Sequence, residues 1–120
     1  MAGLVNNGKH LMLEGFAASA VWASLHTANP DSSGNGEVTG GSPAYTREAI
    51  SWAAAASGSV SSDTNIVFDV PGATTITHLG YWSASATGTF YNSRALDTSQ
   101  TYATQGTYTV TSGNLTETVT

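Results

Sequence analysis

Cysteine is absent from this chain of 120 residues, and lysine and arginine together supply only three positions. The first absence excludes disulfides, zinc sites built on thiolates and thiol nucleophiles. The second leaves nothing to neutralise a phosphate backbone, which excludes nucleic-acid binding through charge. Long apolar runs are missing as well. The longest, residues 52–56, has five members, against the roughly 20 that a spanning helix needs, so no membrane segment is expected. No basic stretch followed by an apolar run opens the sequence, so no signal peptide is expected either. Large aliphatic side chains are scarce: 17 of the 48 apolar residues are alanine, and Leu, Ile, Val and Phe together number 21. A core of modest thickness follows. Disorder does not, because only 11 residues are charged, for a net of −5, and disordered chains of low hydrophobicity carry far more charge.

Hydroxyls take up the space. Serine and threonine supply 33 residues, 18 of them threonine, whose branched Cβ favours a pleated strand over a helix. Leu4, Leu11, Met12 and Phe16 recur at helical spacing, which predicts a short helix over 7–14 with a stop at Gly15. From Ala20 the period becomes two, with Val21, Ala23 and Leu25 alternating against Trp22, Ser24 and His26. A polar stretch without periodicity, 27–43, follows. Loops of that length in compact domains are functional or held by a partner. Further strands are predicted over 45–54, 58–62, 65–70, 75–83, 89–96, 106–112 and 115–119, with a turn at Pro71-Gly72. Short strands divided by Gly, Pro, Asn and Ser turns, with no helix-length pattern between them, predict an all-β fold. The expectation is a single antiparallel β-sandwich or jelly-roll-like domain, residues 17–120, preceded by a short N-terminal helical segment, residues 1–16. That segment carries enough large apolar side chains to be expected to pack across an open end of the sandwich or onto a neighbouring subunit.

The search for chemistry returns little. His10, His26 and His78 lie 16 and 52 residues apart, so none forms a local chelating pair, and His78 reads as an inward or interface histidine. No G-x-S-x-G elbow occurs, and no carboxylate pair is compelled to converge. Asp31 to Glu37 alternates oxygen ligands around glycines like part of a calcium loop, yet it lacks the closing carboxylates and reads as a solvated turn. No catalytic residue, metal or cofactor is expected. The aromatics admit two uses. Trp22, Trp52 and Trp82 can fill a core poor in aliphatics, or Trp82, Tyr81 and Tyr91 can form a platform on which a sugar ring stacks.

Ser24-Leu25-His26-Thr27-Ala28-Asn29-Pro30, the stretch Gly40-Gly41-Ser42-Pro43-Ala44-Tyr45-Thr46-Arg47, the following Trp52-Ala53-Ala54-Ala55, and Thr75 to Ala84 together resemble a family of small virion proteins of tailed bacteriophages, labelled tail fibre or minor tail proteins. The resemblance runs from about Leu4 to Leu115, and its specific part is Gly-Gly-Ser-Pro-Ala-Tyr-x-Arg with the Trp-Ala segment behind it. It implies a non-enzymatic structural component of the virion, made in the host cytoplasm, of minor tail or tail-fibre type or a capsid decoration. The implied partners are copies of the chain itself, as a dimer or trimer, and other virion proteins. A host surface glycan is the partner in the alternative of a carbohydrate-binding host-recognition module. Leu4, Leu11, Phe16, Arg47 and Arg94 are the interface candidates, the two arginines because cations are so scarce.

Overall fold

A computed structural model describes residues 6–118, with side chains described from Met12 to Glu117. The chain begins with helix α1, Asn6–Ser19, and continues with eight strands: β1, Trp22–His26; β2, Glu48–Ala49; β3, Ser59–Ser61; β4, Ile66–Val70; β5, Thr74–Trp82; β6, Phe90–Tyr102; β7, Gly106–Val110; and β8, Thr116–Thr118. All pairings are antiparallel. One four-stranded sheet has the order β2-β1-β5-β6, and two ribbons, β3-β8 and β4-β7, stand beside it. The fold is β-rich with one helix, as the threonine content implies. The strands outside the main sheet are divided between two ribbons and do not form a second continuous sheet.

The core lies between the main sheet and the β4-β7 ribbon. Phe68, Val70 and Ile66 from β4 meet Leu25 and Ala23 from β1 and Leu79 and Tyr81 from β5, all buried. Ile76 joins the same cluster, although strict alternation would put it on the face opposite Leu79. The pairing of β5 with β6 explains this. Ile76 pairs with Gln100 and His78 with Ala95, so the ladder breaks register at Thr77. Such a bulge re-aims the side chains on either side of it. Hydroxyl pairs run along the exposed faces, Thr75 Oγ1 to Thr101 Oγ1 at 3.0 Å and Ser61 Oγ to Thr116 Oγ1 at 2.9 Å.

Several boundaries differ from those expected. The helix does not stop at Gly15. It continues to Ser19 because Ala17 and Ala18 favour helix and Phe16 is anchored edge-on to Trp52 and Tyr81 at ring-centre distances of 5.8 and 5.5 Å. Leu13 is buried, so this end of the chain packs on its own domain. Leu4 and the side chain of Leu11 lie outside the described residues. The strand expected over 45–54 shrinks to two residues, because Tyr45 and Arg47 turn away to make the contacts described below. In the turn after β4 the positive φ falls on Ala73, at 55°, and not on Gly72.

The opposite face of the main sheet is polar and tightly filled. Gly80 sits across from Ser24 in the β1-β5 ladder. A Cβ there would come within 2.6 Å of Ser24 Oγ, 2.8 Å of His26 Nε2 and 2.9 Å of Phe90 Cε1. Ser24 and His26 are fully buried and Phe90 is half-buried. Gly80→Ala is therefore expected to destabilise the fold by about 1–3 kcal/mol, the usual cost of overpacking, visible as a lower urea midpoint with an unchanged slope.

Candidate functional site

The long loop 27–43 folds back over this polar face. Its return limb serves as a substitute strand. β2 covers only Trp22 and Ala23 of β1, and beyond them Val38 N–H donates to Leu25 O at 3.0 Å and Thr27 N–H to Gly36 O at 3.0 Å. The remaining backbone donor, Leu25 N–H, is taken at 2.9 Å by the hydroxyl of Tyr45. Each backbone group along this edge of β1 thus finds a partner, as buried backbone must.

Beneath the loop lies the one ion pair among the described residues. Arg47 Nε donates to Glu37 Oε2 and Nη2 to Glu37 Oε1, both at 3.0 Å. Nη1 donates to Ala84 O at 2.9 Å and to Thr87 O at 2.8 Å. Four of the five guanidinium donors are thereby engaged. The planar group also lies over the ring of Trp82, 3.6 Å from its centre, where the negative face of the indole favours a cation. The arginine side chain is only 7% exposed. Glu37 receives a further bond from Tyr45, whose hydroxyl donates to Oε2 at 2.9 Å. Burial pushes the Tyr45 phenol well above its ordinary range, so it stays protonated and able to donate. The two carbonyls facing Arg47 come from a turn in which Thr87 has φ of 53°, a conformation that a β-branched residue rarely adopts unless its surroundings impose it.

Next to this clamp runs a buried relay. Trp82 Nε1–H donates to Ser24 Oγ at 2.8 Å, the serine lies 2.6 Å from His26 Nε2, and His26 Nδ1 lies 2.7 Å from Asn35 O. Every member is satisfied when Nδ1 carries the imidazole proton, donating to the carbonyl, while Nε2 accepts from the serine hydroxyl. The pairing has the geometry of a nucleophile and its base. Ser24 and His26 are both 0% exposed, however, and Gly34 of the loop presses on Trp82 from above. Neither side chain reaches the surface among the described residues, and the group joins loop to sheet as a polar lock.

The Gly-Gly-Ser-Pro-Ala-Tyr-x-Arg stretch, the most distinctive in the sequence, is therefore the stretch that builds the clamp. A family model described as Podophage GP4 fiber I protein gp80 matches residues 10–118. The chain belongs to that family. No curated protein matches it. Membership in a phage fibre family makes it a tail fibre-type structural protein and a component of the virion.

Against the expectations for this fibre protein, the structure redistributes several residues. Trp82 and Tyr81 do not form a sugar platform. They are 8% and 0% exposed, one beneath Arg47 and the other in the core, where its hydroxyl donates to Glu117 at 2.6 Å. Of that trio Tyr91 alone is exposed. Arg47 is committed within its own chain and is not free for a neighbour. Phe16 is packed inward. Arg94 lies apart from the clamp, on β6, with one hydrogen bond of 3.3 Å to Thr116 O. Glu37 and Tyr45, which the sequence offered only within a solvated turn and a family stretch and not as interface candidates, complete the clamp. The signal available was the presence of a rare arginine and a glutamate on the two limbs of one loop.

Two outcomes follow. Removing the guanidinium leaves the half-buried Glu37 without its counter-charge and two carbonyls without their donor, so Arg47→Ala is expected to cost about 1–3 kcal/mol. Arg47→Lys should recover only part of this, because an ammonium cannot engage two carboxylate oxygens and two carbonyls in one plane. Chemical denaturation of the three proteins measures both steps. The second outcome concerns pH. His26 is pushed below its ordinary value of 6.5 chiefly by burial, with Arg47 and His78 adding to the fall while the Asn35 carbonyl and Glu37 oppose it. Below 6.5 the unfolded chain thus binds more protons than the native one. Stability is full above that value and declines as pH drops through it toward the depressed native value. Urea midpoints should fall on acidification from neutrality, and His26→Gln should flatten that slope.

Proposed function

We propose that the chain is a non-enzymatic structural module of the tail fibre that assembles with copies of itself, as a dimer or trimer, and with neighbouring virion proteins. The observation that carries this is the Arg47 clamp: the family-specific stretch is committed to fixing the shape of a loop, with its donors and acceptors engaged inside the chain. The serine-histidine pair, which could have suggested hydrolysis, is sealed beneath that loop. Self-assembly is supported by β6. It lies at the edge of the main sheet and exposes Tyr91, Asn92, Thr98, Ser99, Gln100 and Thr101. Such a surface, low in charge and rich in hydroxyls and amides, suits a polar interface with an aromatic anchor. The fibre family favours the tail over a capsid-decoration seat. The sandwich-like packing of sheet on ribbon supplies a rigid block suited to repetition.

Light scattering on the purified protein is expected to give a discrete oligomer, and immunogold labelling of particles is expected to mark the tail. A monomer at all concentrations that is absent from the virion would overturn the proposal.

A further inference from the structure

Loop 27–43 carries the dipeptide Asn35-Gly36 at the start of its return limb. Three of the four main-chain groups of this dipeptide are bonded. Asn35 N–H donates to Pro30 O at 3.1 Å, Asn35 O lies 2.7 Å from His26 Nδ1, and Gly36 O accepts from Thr27 N–H at 3.0 Å. Two groups are left without a partner among the described residues: the exposed side-chain amide of Asn35 and the Gly36 N–H. They are chemical complements, a carboxamide carbon and the peptide nitrogen that follows it in the chain. Gly36, with φ of 74°, has no side chain to shield that nitrogen, and even a Cβ there would meet nothing closer than 3.7 Å.

The other asparagines whose side chains are described lack this combination. Asn29 precedes Pro30, which has no N–H, and its Oδ1 accepts from Asp31 N–H at 2.9 Å. Asn65 Oδ1 accepts from Ser112 N–H at 2.8 Å, and its neighbour Ile66 is branched and buried. Asn114 precedes the buried Leu115, and Asn92 lies within the β5-β6 ladder.

We propose that Asn35-Gly36 is a site of spontaneous covalent modification that releases the loop from the sheet. Asparagine is among the thermolabile side chains. The Gly36 nitrogen gives its proton to hydroxide and attacks Asn35 Cγ. The new C–N bond closes a cyclic imide, and the Cγ–Nδ2 bond breaks as ammonia leaves with a proton taken from water. Water then adds to one imide carbonyl and breaks its bond to the ring nitrogen. Opening at Cγ gives an aspartate. Opening at the main-chain carbonyl carbon gives an isoaspartate, in which the chain runs through Cβ and Cγ. The sum is one water consumed and one ammonia released, with no oxidant or reductant. In the isoaspartate the carbonyl that His26 grips becomes a carboxylate off the main chain, and the main chain itself gains a carbon. The bonds from His26 to residue 35 and from Thr27 to Gly36 lose their common spacing, which frees the limb that bears Glu37 and Val38. Water is the sole co-reactant, so the step is independent of assembly.

Ageing the purified full-length protein at mildly alkaline pH tests this. Peptide mapping with isoaspartate-specific methylation is expected to find conversion at Asn35. The peptide bearing position 35 should stay unchanged in Asn35→Gln, whose longer side chain closes a less favourable ring. In the converted fraction, isolated by anion exchange, amide hydrogen exchange at Thr27 and Val38 is expected to be about tenfold faster, the change in opening that loss of one hydrogen bond brings. Unaged Asn35→Asp, which adds the charge without lengthening the chain, should exchange like the native protein. The second Asn-Gly pair, Asn7-Gly8, lies in α1 and is the internal reference. No conversion at Asn35, or conversion at Asn7 alone, would overturn the proposal. So would conversion that leaves exchange at both amides unchanged, or equal acceleration in unaged Asn35→Asp, which would assign the effect to charge.

Discussion

A buried guanidinium holds this molecule's largest loop in place. Arg47 joins three parts of the chain that no regular ladder connects: Glu37 on the limb that returns along β1, the carbonyls of Ala84 and Thr87 beyond β5, and the indole of Trp82 at the end of β5. With so few aliphatic side chains, the protein cannot hold seventeen loop residues by apolar burial. It uses directional bonds, whose geometry only a planar five-donor group can satisfy together. The relay from Trp82 through Ser24 and His26 to Asn35 depends on the same arrangement, since the indole that Arg47 covers is the first donor of the relay. Buried polar networks of this kind stabilise only when every member is satisfied. Both sides of Trp82 therefore have to be in place before the loop closes.

The architecture was legible in the sequence where a single physical preference ruled. Alternation placed β1, β4, β5 and β7 within a residue or two, because each has one face on the core and little else competing for its backbone. It was less informative where side chains serve two masters. The stretch 45–54 alternates well enough to look like a strand, yet Tyr45 and Arg47 have stronger bonds to make outside a ladder. Gly15 resembles a helix stop, but the alanines after it and the docking of Phe16 outweigh one glycine. The aromatic residues show the limit most sharply. Trp82 in a strand is compatible with a core or with a binding platform, and only the position of Arg47 above its ring decides between them. That position depends on a loop geometry that no local pattern encodes.

Function was legible to a different degree. The distinctive Gly-Gly-Ser-Pro-Ala-Tyr-x-Arg stretch pointed to a phage virion family, and the match over residues 10–118 bears this out. The residues that give the stretch its distinctiveness turned out to serve folding.

The paired hydroxyls along the exposed strand faces have a consequence for durability. Contacts such as Thr75 with Thr101 and Ser61 with Thr116 involve groups that neither titrate in water nor attract counter-ions. An ion pair on the same surface would weaken as salt rose, whereas a hydroxyl bridge keeps its strength in dilute water, brine or mild acid. The exposed strand faces of this chain are thus held by the kind of contact to which such changes make the least difference.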